Sequence, residues 1–284
     1  MKIISRSFIH AAFLGSALLT TSLSLADEID MVTPRSIPAV PDDLIDDPHI
    51  REQLGVNQFT APSIKRIFDD LDKLTPLPAN ERLHKKSKRM PLNRTDLALE
   101  IGFLIADGLM AAQSGQMRKV EELATELTRY GRALGAGDRV NRHAASLLDS
   151  ANNNDIDALK DELTATQRDV ETDLIHLRDI DLAHLISLGG WIRALEVSSY
   201  SVEKKYSPER AQALLRPDIA NYYEKSINSL EPRVLAHSDL KEIRQCIIAI
   251  KEIMASKEGL TSDEVTTITT KAHSLAKLAL RRKD

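Results

Sequence analysis

Apolar residues recur at steps of three and four along almost the whole chain after Thr95, and this spacing restricts the fold more than any other feature. One run places Val120, Leu123, Leu127, Tyr130 and Leu134 at such steps. Side chains spaced in this way share one face of an α-helix. No stretch of the sequence alternates convincingly between apolar and polar residues, and the paired turn signals of β-hairpins are missing. The sequence therefore predicts an all-α fold, either an antiparallel helical bundle or a helical array, over residues 94–284.

Residues that favour the start or the end of a helix divide this region. Thr95 is expected to cap the first helix, and the apolar pattern extends that helix to about Ala112. Gly135 is expected to end the following helix as a glycine C-cap. Thr261, with Glu264 three positions later, has the pattern of a capping box at the start of the last helix. These signals predict separate helices joined by short loops.

The segment before this region has a different composition. Eight of the 11 prolines lie between Pro34 and Pro91, which predicts a proline-rich arm over residues 27–93 with short helical pieces. The clearest piece follows Pro62, where Ile64, Ile67 and Phe68 begin a helical pattern. An amphipathic segment of this kind is expected to dock on the helical body.

The first 26 residues have the layout of a Sec-type signal peptide. Lys2 and Arg6 form a basic start, an apolar stretch covers residues 8–19, and small residues precede Asp27. Cleavage is expected after Ala26, so the sequence predicts a periplasmic or secreted protein. No second membrane segment is expected, because the most apolar later stretch contains Glu100 and Asp107 and is shorter than the roughly 20 residues that a spanning helix needs.

Charge and cysteine content narrow the class of protein further. The leader contains two of the 38 basic residues and no acidic residue, which leaves 36 basic against 42 acidic side chains and a formal charge of −6. An acidic surface argues against a nucleic-acid partner. Cys246 is the only cysteine, so no intramolecular disulfide can form. We expect its thiol to be buried and unreactive.

Two carboxylates on the first long helix form the strongest candidate site. Glu100 and Asp107 are seven positions apart, which puts them within about 20° of each other on a helix that is otherwise apolar. A buried carboxylate needs a basic or hydroxyl partner unless it lines a cavity, and the available arginines are Arg132, Arg142, Arg178 and Arg193. The pair either fixes helix register through buried ion pairs or lines a cleft together with Arg193 and Trp191.

Glycines within the helical patterns point to the same region. Gly102, Gly108, Gly189 and Gly190 each weaken a helix by about 0.5–1 kcal/mol relative to alanine. Close approach of two helices is the simplest compensation. A ligand that touches the backbone beside Trp191, the only tryptophan, is the alternative.

Two Asp-x-x-His pairs resemble the carboxylate and histidine ligands of helical di-metal sites. They are Asp173 with His176 and Asp181 with His184. We expect both pairs to lie on one continuous helix, where eight residues separate them by about 12 Å, so that they could not converge. No metal site and no cofactor are therefore predicted.

The sequence contains none of the glycine-loop, haem-attachment, zinc-protease or serine-hydrolase motifs that we sought. The expected function is a non-catalytic binding or scaffold role in the cell envelope, with an unknown protein or small molecule as partner. The alternative is a small-ligand-binding protein or an enzyme with a polar pocket around Glu100, Asp107, Trp191 and Arg193.

Overall fold

A series of α-helices accounts for most of the computed structural model, which describes residues 38–45, 61–69, 71, 74, 76–78, 81, 83, 89–255 and 258–281, with the backbone alone for residues 137–141. Within these ranges there is no β-strand, which confirms the predicted all-α class. The predicted leader, residues 1–26, lies outside the described residues. In chain order the α-helices are α1 (Ile64–Asp69), α2 (Arg94–Gln113), α3 (Met117–Leu134), α4 (Gly137–Asn152), α5 (Ile156–His176), α6 (Ile180–Lys204), α7 (Pro208–Ala211), α8 (Pro217–Asn228), α9 (Pro232–Leu235), α10 (Ser238–Met254) and α11 (Ser262–Ala279), with short 3-10 turns at Asp42–Leu44 and Gln212–Leu214.

Several helix ends follow the sequence signals. Gly135 has a φ of 101° and ends α3, and the capping box between Thr261 and Glu264 opens α11. The predicted cap at Thr95 was wrong, because the Asn93 side chain accepts a hydrogen bond from the Thr95 N–H at 2.7 Å and caps α2. A two-residue error of this kind is expected where several capping residues adjoin.

Helices α2 and α6 form the centre of the fold. Both are buried on nearly every side, as the apolar pattern of α2 predicts. Helix α3 packs on α2 and α4, α5 packs on α2, α4 and α6, and α11 packs on α6 and α10. Helices α3, α5 and α11 therefore cover the central pair.

The two central helices touch backbone to backbone. A Cβ atom built on Gly102 would lie 2.0 Å from the Ile186 carbonyl oxygen, and one on Gly189 would lie 2.1 Å from the Leu99 carbonyl oxygen. Any larger residue would push the helices apart. Gly102 and Gly189 therefore allow α2 and α6 to pack closely, which is the simpler of the two explanations considered from the sequence.

The described part of the arm docks on the body, as predicted. Ile64, Ile67 and Phe68 of α1 are buried, and α1 packs against α2, α5 and α6. The residues described here all belong to one compact unit, Ser36–Asp284. Among them, no helix is both long enough and apolar enough to cross a membrane.

Candidate functional site

A fully buried guanidinium lies between two carboxylates at the centre of the molecule. Arg193 on α6 donates from Nε to Oδ1 of Asp107 on α2 at 2.6 Å, and from Nη1 to Oε2 of Glu196 at 2.7 Å. The three side chains are at most 4% exposed. Because an unpaired charge is very costly in such surroundings, the pairing of Arg193 with both carboxylates offsets part of the cost of burying these groups.

This group of charges reaches the surface through one histidine. Nδ1 of His273, on α11, lies 2.9 Å from Oε1 of Glu196, and the His273 side chain is 45% exposed. We call Asp107, Arg193, Glu196 and His273 the Arg193 cluster. It joins three helices, α2, α6 and α11, from the core to the solvent.

Glu100 has a different partner from Asp107. The Tyr130 hydroxyl of α3 donates to Glu100 Oε1 at 2.9 Å, and both side chains are buried. The two carboxylates thus share a helix but bind side chains from two different helices, α3 and α6. This contact ties α3 to α2.

Trp191 lies in an aromatic cluster. Its ring stacks on that of Tyr223 at a centroid distance of 4.9 Å, and Tyr222 meets Tyr223 edge to face at 5.1 Å. The Tyr223 hydroxyl is 2.7 Å from Ser187 Oγ, and the Tyr222 hydroxyl is 3.1 Å from Nδ1 of His184. Burial raises the pKa of both phenols, so both stay protonated in neutral solution.

A small cavity borders this aromatic cluster. It measures about 40 Å³, and its lining includes Trp191, Leu195, Ile67, Leu71 and Arg216. That volume accommodates only a few water molecules. Glu100, Asp107 and Arg193 do not line it.

The structure therefore brings together only two of the four predicted site residues. Asp107 and Arg193 are in direct contact, Glu100 binds Tyr130, and Trp191 borders the separate cavity. Sequence reasoning missed Glu196, although its position three residues after Arg193 on a helix was a usable signal. His273 gave no signal, because it lies 77 residues from its partner.

The two Asp-x-x-His pairs lie on different helices, so the expectation of one continuous helix was wrong. Asp173 and His176 lie near the end of α5, and Asp181 and His184 lie in the first turns of α6. Between them Arg178 has a φ of 60°, a left-handed conformation that interrupts the helix without glycine or proline. Among the described residues, no group of three or more histidine, cysteine, aspartate or glutamate side chains is arranged to hold a metal ion.

The chain matches no protein-family model, no curated protein and no solved structure.

Proposed function

We propose that this chain is an exported helical protein of the cell envelope that acts without catalysis, by binding a partner protein through its helix surfaces. The observation that supports this most is the Arg193 cluster. Arg193 and both of its carboxylate partners, Asp107 and Glu196, are buried and held in ion pairs, and Glu196 also contacts the partly exposed His273. Such an arrangement suits a structural role for these groups better than a chemical one.

Export rests on the sequence of residues 1–26 and is tested separately. Expression of the whole chain in a bacterium with an outer membrane should give periplasmic protein whose intact mass corresponds to a start at Asp27. A variant without residues 2–26 should stay in the cytoplasm. Uncleaved protein retained in the cytoplasm would refute the export part of the proposal.

Partner binding can be tested with photo-crosslinking side chains at exposed apolar positions. Leu92 is 99% exposed and Leu177 is 51% exposed, while Arg118, with a side chain 93% exposed, is a polar control position. We expect one discrete crosslinked protein at the leucine positions and none at position 118. The captured protein, once purified, should bind the native chain in calorimetry, and Leu177→Asp should weaken that binding. A defined reaction catalysed by the purified chain would overturn the proposal.

The alternative is a protein that binds a small ligand beside Trp191, and the cavity there favours it. Two of the lining residues, Ile67 and Leu71, belong to the arm, so a shift of the arm would enlarge the cavity for a ligand bigger than a few waters. Native mass spectrometry of the purified chain distinguishes the two functions. A stoichiometric small molecule that is lost in the Trp191→Ala variant would favour the ligand-binding protein.

A further inference from the structure

Side chains of the helical body grip the main chain of the arm at Pro62 and Ile64. The Gln167 amide donates from Nε2 to the Pro62 carbonyl oxygen at 3.2 Å and accepts from the Ile64 N–H at 3.0 Å. The Ser187 hydroxyl donates to the same Pro62 oxygen at 2.5 Å. Gln167 and Ser187 are at most 3% exposed. Gln167 and Ser187, which we call the clamp, thus hold the arm to the body through its main chain.

Two further contacts hold the arm at other points. The Leu74 carbonyl oxygen accepts from Ser201 Oγ at 3.3 Å and from Arg210 Nη2 at 3.5 Å. Arg216 forms an ion pair with Asp43 at 2.8 Å. Within the described residues, the arm is therefore bound to the body at Asp43, at Pro62–Ile64 and at Leu74.

Apolar side chains of the arm also pack against the body. Ile64, Phe68 and Leu74 are at most 1% exposed. Gly190 of α6 leaves room for Ile64, because a Cβ atom on that glycine would lie 2.4 Å from Ile64 Cγ1. We call the surface formed by Gln167, Ser187, Gly190, Ser201 and Arg210 the arm groove.

An empty arm groove would be costly. Its apolar walls would meet water, and the clamp groups would lose their main-chain partners. A segment that replaces the arm must present a free carbonyl and N–H next to branched apolar side chains at helical spacing. The arm of a second copy meets every one of these requirements, because it is the same segment.

We propose that the arm groove also accepts the arm of a second copy of this chain, so that two chains exchange arms and form a dimer. Exchange of an identical element costs little in contacts, since each groove is filled in both states. The chain's own arm is joined to the body covalently, which gives it an effective concentration on the order of millimolar. Exchange therefore grows with protein concentration. This inference does not rest on the proposed function, because it concerns the purified chain alone.

Crosslinking between two single-cysteine variants tests the exchange. Cys246 is first replaced by serine, and Asp43→Cys and Arg216→Cys are made in separate chains. The two chains are mixed at increasing concentration, incubated, and treated with a short bismaleimide. The control mixture combines Asp43→Cys with Glu122→Cys, whose site is half exposed on α3 and pairs with Lys119 of the same helix.

Exchange should give a heterodimer band that exceeds the control by about tenfold, because seating of the arm replaces random collision by a local concentration on the order of millimolar. The yield should rise with protein concentration. A chain with both cysteines, at high dilution, should crosslink within itself. A mixture that yields no more heterodimer than the control, while the double variant closes internally, would refute the exchange. Failure of the double variant to close would contradict the seating of the arm on which the inference depends.

Discussion

Arg193 pairs with both buried carboxylates of the Arg193 cluster. It forms ion pairs with Asp107 and Glu196 from a position with no solvent exposure. Replacement by an apolar residue of similar length would leave two carboxylates in the core without their counter-ion. Removing Arg193 alone therefore costs more free energy of unfolding than replacing the whole set of charges by apolar residues would.

Arg193→Met is expected to lower the free energy of unfolding by about 3–5 kcal/mol. Urea unfolding followed by circular dichroism measures this. Arg118→Ala is the control, since that side chain is almost fully exposed and its loss should change stability by no more than about 0.5 kcal/mol. Equal stability of the two variants would show that Arg193 does not neutralise buried charge.

Cys246 gives a prediction that depends on pH. Burial raises the pKa of its thiol, an effect that the charge of Lys271 partly offsets. A raised pKa means less thiolate at a given pH, so alkylation by iodoacetamide should be slower than for free cysteine from neutral to mildly alkaline pH. The difference should shrink as the pH rises past the raised value.

Mass spectrometry of the time course at several pH values measures the rate of alkylation. The same chain unfolded in urea is the control, and there the rate should approach that of free cysteine. A folded chain that reacts as fast as the unfolded one would place the thiol in open solvent.

Sequence reasoning at the residue scale identified the charged residues better than their partners. Arg193 was one of four arginines considered as partners for the two carboxylates, and it binds Asp107. Glu100 was expected to meet a base or a hydroxyl group, and its partner is the phenol of Tyr130. Helical spacing tells which face a side chain occupies, whereas its partner on another helix depends on tertiary packing, which the spacing does not encode.

At the scale of elements, the crossing of α2 and α6 depends on the absence of two side chains. Gly102 and Gly189 let carbonyl groups of one helix approach the backbone of the other. In an isolated helix, alanine is more stabilising than glycine by about 0.5–1 kcal/mol. At this crossing, the clash between an added Cβ atom and a backbone carbonyl oxygen opposes that preference and outweighs it.

Gly102→Ala is expected to destabilise the protein by about 2 kcal/mol, because the new methyl group would meet the Ile186 carbonyl oxygen. Gly108→Ala on the same helix is the matched control, since its Cβ would meet only the end of the Leu163 side chain at 3.0 Å. Thermal unfolding should show a much larger decrease in Tm for Gly102→Ala. Equal decreases would contradict the close helix crossing.

Most helix positions were predictable from apolar spacing and from Gly135, Thr261 and Glu264, because these signals are local. The boundary between α5 and α6 was not, because Arg178 ends the helix in a conformation that non-glycine residues seldom adopt. A left-handed arginine leaves no trace in the sequence pattern. The missed boundary in turn placed the two Asp-x-x-His pairs on one helix.

At the scale of the whole molecule, the arm is an integral part of the core. Gln167 supplies both a donor and an acceptor to the arm backbone. The amphipathic pattern of the arm predicted docking, but the clamp could not be predicted, since Gln167 and Ser187 meet Pro62 over 105 and 125 residues of sequence. Contacts of such separation arise only in the folded chain.

Gln167→Leu is expected to cost about 1–3 kcal/mol, because the buried Ile64 N–H loses its acceptor. Urea unfolding gives the loss, and limited proteolysis should show faster cleavage within residues 61–78. Thr164→Val on the same helix is the control, as its hydroxyl bonds only to the Lys160 carbonyl of its own helix. Unchanged cleavage in Gln167→Leu would mean that the clamp does not hold the arm.

The position of the clamp has a consequence for biosynthesis. The ribosome makes the Pro62 segment first, and the Ser187 that binds it follows 125 residues later. Until then Ile64, Phe68 and Leu74 have no finished groove to enter. During synthesis and any translocation these side chains are open to chaperones, and the nascent chain closes only when its later helices arrive.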